Sequence, residues 1–197
     1  MQLIFATHNH NKVLEVKAAL AGDYEIISLA DLQDQQPIEE PYNTLAENAA
    51  EKVNVIWNRY GKNSFSEDTG LEIAALDMRP GVRSARYAGE QGDSAANMAK
   101  VLHELRDQSD RSAQFRTVFA LRWDDELHFF EGIVKGQILE SPQGNGGFGY
   151  DPIFKPLGYD HSFAELGIEV KKKISHRSMA FNKMINFIQS INKNKNV

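Results

Sequence analysis

The chain contains no cysteine among its 197 residues, which removes several kinds of chemistry at once. Without thiols the protein has no disulfide framework, no thiolate nucleophile and no cysteine zinc site. It also has no apolar segment long enough to span a bilayer, and its beginning, Met1 to Ala6, lacks the basic region and long apolar stretch of a signal peptide. We therefore expect a cytoplasmic protein with no membrane partner.

An excess of positive charge is missing too, since the formal net charge is −5. This argues against a general nucleic-acid binder, including one that would bind RNA through the single basic segment Lys171–Arg177. A local cationic segment in an acidic protein suits a small anion better than a long polyanion. No GxxxxGK[ST] sequence occurs, so a Walker-type phosphate loop is excluded.

Hydrophobic periodicity predicts alternating strands and helices without repeats or low-complexity linkers. The predicted elements are strands at 3–6 and 24–29, a helix at 12–20, a helix after Thr44, a helix capped by Ser94, a hairpin at 115–123 and 127–139, and a last helix at 177–191. This pattern predicts an α/β protein, a single domain over residues 1–197, with a mixed sheet that contains a long antiparallel hairpin.

The run Ser66–Leu71 places two adjacent carboxylates, Glu67 and Asp68, before Thr69 and Gly70. Carboxylates crowded at the edge of a core element are costly unless water, a cation or a partner stabilises them. Mg²⁺ usually takes one or two protein carboxylates together with phosphate oxygens of a substrate. Alone, an acidic turn is more often a solvated turn than a metal site, so the run gains weight only from the other segments.

Two further segments suit anions or cations. Residues 7–12 (Thr-His-Asn-His-Asn-Lys) follow a predicted strand and begin a predicted helix. The N–H groups and the dipole at a helix N-terminus favour anions. A plain helix cap with an exposed lysine is the more common interpretation of such a sequence. Glu39 and Glu40 precede the Thr44 helix, which carries Lys52. They are ordinary loop residues unless that loop folds toward Asp68.

The last two segments suit a nucleotide. Residues 141–152 hold four glycines around Phe148, Tyr150 and Asp151, and an aromatic ring held in such a loop stacks on a planar base. Lys171–Arg177 leads into the last helix. Glycine-rich loops also simply connect strands, and clustered lysines are often only a solvated face.

Taken together, these segments resemble the inosine triphosphate pyrophosphatase family of purine nucleoside triphosphate pyrophosphatases. The motifs occur in order along nearly the whole chain: Thr7-x-Asn9-x-x-Lys12, Glu47-Asn48-Ala49-x-x-Lys52, Glu67-Asp68-Thr69-Gly70-Leu71, Pro80-Gly81-Val82-x-Ser84-Ala85-Arg86-Tyr87, Gly146–Pro152 and Ser175-His176-Arg177. Two departures are small. Glu67 and Thr69 stand where the family often has aspartate and serine, and His8 stands where it often has glycine.

The resemblance implies hydrolysis of ITP, dITP and XTP to the monophosphate and pyrophosphate, with Mg²⁺ as cofactor. It also implies a homodimer and a bilobed fold with helices on both sides of the sheet and an active-site cleft. Asp68 would be the catalytic residue, and Asp68 and Glu39 the metal ligands, with Glu40 as the alternative to Glu39. The substrate-binding residues would be Thr7, His8, Asn9, His10, Asn11, Lys12, Lys52, Thr69, Phe148, Gly149, Tyr150, Asp151, Lys171, His176 and Arg177. Arg177 would donate to the O6 atom of the base. The alternative, a non-catalytic nucleotide-binding protein, would not need the paired acids.

Overall fold

The computed structural model describes residues 2–19 and 24–195. The described strands are β1 Gln2–Phe5, β2 Glu25–Ser28, β3 Ser64–Ile73, β4 Pro80–Gly81, β5 Ser112–Trp123, β6 Glu126–Ile138 and β7 Phe154–Pro156. The α-helices are α1 His10–Ala19, α2 Leu45–Tyr60, α3 Ser94–Glu104, α4 Phe163–Ile174 and α5 His176–Lys195. All the predicted strands and helices are therefore found, with shifted ends. Leu20, the predicted end of the first helix, lies outside the described residues.

The sheet is mixed, as predicted. Its strand order is β2-β1-β3-β5-β6-β7, and β4 pairs with β3. The β1 strand runs parallel to β2 and β3, whereas β4 runs antiparallel to β3 and β7 antiparallel to β6. Two residues, Asp124 and Asp125, connect β5 to β6, and both have positive φ, 45° and 72°. That conformation matches the tight turn of a hairpin, so the predicted long antiparallel hairpin is confirmed.

The chain divides into two compact units. Unit 1 lies within Met1–Asp68, Thr117–Gly132 and Arg177–Val197, and unit 2 within Thr69–Arg116 and Ile133–His176. The single domain and the active-site cleft stay predictions.

In unit 1, the residues of β1, and Ala6 directly after it, pack alternately on opposite sides of the sheet. Leu3 and Phe5 join a core with residues of α1 and α5, while Ile4 and Ala6 join one with Ile56 of α2. This is the period of two that a strand imposes on its side chains. Rings from three strands stack in the first core, with Phe5 and Phe65 centroids 4.5 Å apart. Within unit 1, helices therefore cover both sides of the sheet, as expected.

Unit 2 has its own core around Phe115, Phe154 and Phe163. Helix α3 begins at Ser94, but its cap is Asp93, whose Oδ1 accepts from the N–H groups of Ala95 and Ala96. The prediction that Ser94 caps this helix is wrong, because the carboxylate of Asp93, one residue earlier, accepts from the N–H groups of the first turn. Helix α4 begins with a capping box made by Ser162 and Glu165.

The last helix, α5, begins at His176, one residue before the predicted start, and extends beyond Ile191 to Lys195. Among residues 2–19 and 24–195, no helix combines the length and apolar character that crossing a membrane requires.

Candidate active site

The two acidic residues of the Ser66–Leu71 run point to opposite sides of strand β3. Phe65 packs in the core with Phe181 of α5, whereas the hydroxyl of Ser66 donates to the carbonyl of Ala49 in α2. Because side chains alternate along a strand, Glu67 shares the side of Phe65 and Asp68 the side of Ser66. The contacts of both carboxylates agree with this, so the adjacent pair belongs to two different clusters of unit 1.

Asp68 faces polar residues of α2. Its Oδ1 lies 3.3 Å from Nζ of Lys52, and its Oδ2 is 3.5 Å from Nδ2 of Asn48. The same Lys52 ammonium donates to Oε1 of Glu40. Asp68 and Lys52 are each only 7% exposed. One buried ammonium therefore joins two carboxylates from distant parts of the sequence.

Burial is the main cause that raises the pKa of the Asp68 carboxyl, and the charges of Glu40 and Glu67 add to it. Lys52 and Lys12 oppose this shift. For Lys52, burial by itself would lower the pKa, but the charges of Asp68 and Glu40 outweigh it and the pKa is raised. Lys52 therefore stays charged at neutral pH, and Asp68 is a more basic carboxylate than an exposed one. A raised carboxyl pKa in a cluster of charges is typical of a general base.

Glu67 faces two cationic groups on the other side of β3. Its Oε1 lies 3.0 Å from Nζ of Lys12 and 3.1 Å from Nε of Arg177. Nη1 of Arg177 donates in turn to Oε2 of Glu15. Burial would lower the pKa of Arg177, but the two carboxylates outweigh it and raise the pKa further above its ordinary value. The predicted contact of Arg177 with a base stays a prediction, and its described donors Nε and Nη1 bond carboxylates.

The turn between β1 and α1 is built by its own polar side chains. The amide oxygen of Asn9 accepts from the N–H groups of Asn11, at 3.0 Å, and Lys12, at 3.2 Å, and thereby caps α1. The hydroxyl oxygen of Thr7 accepts from the N–H of Asn9 at 3.2 Å. His10 is the exposed first residue of the helix. The cap uses the oxygen of Asn9, which leaves its amide nitrogen as the group suited to a phosphate.

In unit 2, a buried ion pair holds the glycine-rich loop. Nζ of Lys171 lies 2.7 Å from Oδ2 of Asp151, and the same oxygen accepts from the N–H of Phe148 at 2.8 Å. The Lys171 ammonium lies 5.3 Å from the centroid of the half-buried Phe148 ring. Gly147 has a φ of +72°, and a side chain there would meet the Asp151 carboxylate. The loop therefore presents Phe148 in a fixed position.

The remaining predicted residues of unit 2 are placed as follows. Gly149 has a φ of +63°, which explains a glycine directly after Phe148. The Tyr150 hydroxyl donates to the carbonyl of Ser84 at 2.7 Å, and burial is the main cause that raises its pKa. The buried His176 ring stacks on Phe115, with centroids 4.7 Å apart. Thr69, the first residue of unit 2, is half-buried in β3. Substrate contacts by these residues stay predictions.

The donor groups of unit 1 fit a magnesium ion that is completed by a substrate. Among residues 2–19 and 24–195, no group of three or more histidine, aspartate or glutamate side chains is placed to hold a metal. Mg²⁺ usually takes only one or two carboxylates from the protein and its other ligands from water and phosphate. Asp68 and Glu40 both bond one ammonium, so their oxygens converge on a cation already. Glu39 is exposed.

Two polar residues of these clusters received no role from the sequence, Asn48, which stands in one of the motifs, and Glu15. Asn48 bonds both backbone groups of Tyr42, at 2.9 and 3.1 Å, besides contacting Asp68. Its signal was available, since Asn48 and Lys52 lie four residues apart within an otherwise apolar helix face. Glu15 is 8% exposed. Nothing local marks Glu15, because its partner Arg177 lies 162 residues away.

Comparison with known proteins agrees with these motifs. The Ham1 family model matches residues 3–187. The chain is 46% identical over 190 residues to the dITP/XTP pyrophosphatase of Flavobacterium psychrophilum, a match that covers 96% of this chain and 100% of the relative. It is 45% identical over 188 residues to that of Christiangramia forsetii, covering 95% and 99%. The solved structure of the Staphylococcus aureus Ham1 protein matches with a TM-score of 0.87 and 37% identity, over 96% of this chain and 99% of that one. The protein belongs to the Ham1 family.

Proposed function

We propose that the protein hydrolyses non-standard purine nucleoside triphosphates, among them ITP, dITP and XTP, to the monophosphate and pyrophosphate. Relatives that match nearly the whole chain carry the name dITP/XTP pyrophosphatase. The structural observation that carries the proposal is the Asp68 cluster of unit 1. There a buried carboxylate of raised pKa lies beside a lysine and near a second carboxylate. A protein that only bound nucleotides would need no such carboxylate.

Asp68 acts as the general base in this proposal. Hydrolysis of a phosphoanhydride needs a positioned water and neutralised phosphate charge rather than a covalent nucleophile. The Asp68 carboxylate accepts the proton of the attacking water. Asn48 and Lys52 hold the carboxylate in place. Cleavage between the α and β phosphates follows from the resemblance and from the relatives' name.

Lys12 and Lys52 are the phosphate-binding cations of unit 1. Lys12 lies at the N-terminus of α1, where N–H groups and the helix dipole add to its charge. Lys52 is buried and stays charged. The resemblance gives Lys171 the same role, although its ammonium lies 2.7 Å from Asp151. The Thr7–Asn11 turn supplies polar groups beside Lys12.

Mg²⁺ is the proposed cofactor, held by Asp68 together with Glu39 or Glu40. When bound, it would neutralise phosphate charge and polarise the phosphorus toward attack. The contact of Glu40 with Lys52 supports Glu40 as the second ligand. A lysine that already joins both carboxylates keeps them close to each other before any metal binds.

Phe148 is proposed to stack on the base. Its ring is half-buried in a loop that Asp151 and Lys171 hold in place. Stacking is indifferent to base identity, so the choice of base requires hydrogen bonds. The resemblance assigns these to His176 and Arg177. Because a guanidinium only donates, it suits the O6 atom of inosine and leaves the amino group of adenine facing another donor.

We further infer a homodimer that acts in the cytoplasm. The dimer follows from the resemblance, and the cytoplasm follows from the proposed substrates, which belong to the nucleotide pool. Light scattering coupled to size-exclusion chromatography measures the first directly. A mass of one chain, 22.2 kDa, at working concentration would contradict it.

The proposed reaction is tested with a panel of nucleoside triphosphates and Mg²⁺, scored separately for pyrophosphate and orthophosphate. We expect pyrophosphate from ITP, dITP and XTP, with kcat/KM well above that for ATP and GTP. Orthophosphate released together with a nucleoside diphosphate would contradict the proposed cleavage. Binding of ITP without any product would support a non-catalytic nucleotide-binding protein instead.

A further inference from the structure

His8 connects the β1–α1 turn to a loop far away in the sequence. Its Nε2 atom lies 3.0 Å from the backbone carbonyl oxygen of Asp34. A carbonyl only accepts, so Nε2 must carry the proton, in the neutral tautomer or in the imidazolium form. The bond spans 26 residues of sequence, and both ends belong to unit 1.

The loop that His8 contacts is itself anchored to the last turn of α2. Oδ2 of Asp34 accepts from Nη1 of Arg59 at 3.0 Å and from the hydroxyl of Tyr60 at 2.9 Å. Its Oδ1 accepts from the N–H of Gln36 at 2.9 Å. Burial opposes the charge of Asp34, but these hydrogen bonds outweigh it and hold the pKa of Asp34 below its ordinary value. Asp34 is therefore a fixed ionic anchor and not a mobile loop residue.

The anchored loop leads directly to the Asp68 cluster. Six residues after Asp34 comes Glu40, which contacts Lys52. Lys52 and Arg59 lie seven residues apart, two turns of the same helix. Helix α2 thus holds this segment at both ends, through Arg59 and Tyr60 at Asp34 and through Lys52 at Glu40. His8 adds the turn that ends in Lys12 to this framework.

We propose that His8 is a positioning residue that fixes the Thr7–Lys12 turn relative to the Asp34–Glu40 loop. It acts through the Asp34 carbonyl rather than by contact with phosphate. This inference rests on the proposed function. In that function Lys12 binds phosphate and Glu40 is a proposed metal ligand, so the distance between them matters for binding one substrate. A glycine at this position would have no side chain to make this link.

Kinetics of His8 variants test the inference first. Losing one hydrogen bond that orients a binding turn lowers kcat/KM for ITP about fivefold in His8→Ala. His8→Gln, whose amide N–H also donates to a carbonyl, restores most of the loss. Gln35→Ala, an exposed neighbour of Asp34, is the control and leaves kcat/KM unchanged. A His8→Gln variant as impaired as His8→Ala would overturn the inference.

A double-mutant cycle separates positioning from direct phosphate contact. Tyr60→Phe removes one hydrogen bond to Asp34 and keeps the ring. The cycle compares the factor by which His8→Ala lowers kcat/KM for ITP in two backgrounds. If His8 acts through the Asp34 loop, this factor is smaller in Tyr60→Phe than in the wild type, because the loop has already lost one of its hydrogen bonds. If the double variant instead loses kcat/KM by the product of the two single losses, His8 acts independently of the Asp34 loop.

Hydrogen exchange tests the link without any activity. We expect the backbone amides of residues 29–38 to exchange faster in nucleotide-free His8→Ala than in the wild type and in Gln35→Ala. Unchanged exchange would overturn the inference even if the enzyme hydrolyses ITP. A wild type that hydrolyses no triphosphate would refute the proposed function, while the exchange result would still decide whether His8 fixes the loop.

Discussion

Glu67 and Asp68 are neighbours in sequence, yet unit 1 gives them opposite environments. Glu67 is one carboxylate that bonds two cationic groups, Lys12 and Arg177. On the other side of β3 the ratio of cationic groups to carboxylates is the opposite. There Lys52 is one cationic group that bonds two carboxylates, Asp68 and Glu40. The first arrangement has an excess of cationic groups around one buried carboxylate, and the second has an excess of carboxylates around one buried ammonium. Two acidic residues that are adjacent in a strand therefore do not share the same bonding partners.

The largest effect is expected from Asp68→Asn. An amide cannot accept the proton of the water and is a poorer metal ligand, so kcat for ITP should fall about 10²–10⁴-fold. Stability should change little, because burial already disfavours the charged carboxylate. Steady-state pyrophosphate release measures the rate, and calorimetric titration with ITP should show that binding is largely retained. Turnover near the wild-type rate would remove Asp68 from the mechanism.

Glu67→Gln should act on stability instead. Its carboxylate is fully buried and holds Arg177, itself only 2% exposed. Removing the Glu67 charge takes this partner from Lys12 and leaves the buried Arg177 with Glu15, so the free energy of unfolding should fall by about 3 kcal/mol. Urea unfolding measures this. A variant as stable as the wild type would show that the Glu67 cluster does not hold the protein together.

Glu40→Gln and Glu39→Gln form a matched pair that decides the second metal ligand. Both remove one negative charge from the same loop, but the structure joins only the Glu40 carboxylate to Lys52 among the contacts described. We expect Glu40→Gln to raise the Mg²⁺ concentration that gives half-maximal rate about tenfold, and Glu39→Gln to raise it less. The reverse order would restore Glu39 as the ligand.

The smallest expected effect is a shift in the pKa of the Asp68 carboxyl when Lys52 is replaced. In metal-free protein its carboxyl should titrate above the ordinary value of 3.8, because burial disfavours the charged form. Lys52 is the largest of the causes that lower this pKa, so Lys52→Met should move the titration to still higher pH. Carboxyl-carbon NMR across a pH series measures both. A shift to lower pH in Lys52→Met would contradict the assigned cause.

The sequence predicts a structural feature well when the residues that determine it lie close together along the chain. Helix α2 could be located in advance, because Thr44 caps it and its apolar residues recur with the helical period. The β5–β6 hairpin was equally visible, since alternation on both sides of a short acidic turn is a local signal. The cap of α3 was misplaced by one residue, because Asp93 and Ser94 are both good cap residues.

The sequence could group the candidate residues into one hypothesis, but it could not give their arrangement around β3. The order of the motifs brought Lys12, Lys52 and Asp68 into one hypothesis, and unit 1 does place all three around β3. The run 66–69 suggests a turn by composition but lies inside strand β3, so the opposite directions of Glu67 and Asp68 could not be foreseen. The bond from Arg177 to Glu15 joins residues that are 162 positions apart in the sequence, and no local pattern encodes it.

The most direct test compares the kcat of Asp68→Asn and Glu67→Gln for ITP, scored as pyrophosphate, at a temperature where both variants are folded. We expect Glu67→Gln to stay within about tenfold of the wild type, because Lys12 loses a partner but the base remains. Asp68→Asn should lose about 10²–10⁴-fold, because the base itself is gone. Equal losses in the two variants, or a larger loss in Glu67→Gln, would contradict the separation of the two carboxylates into a structural and a chemical one.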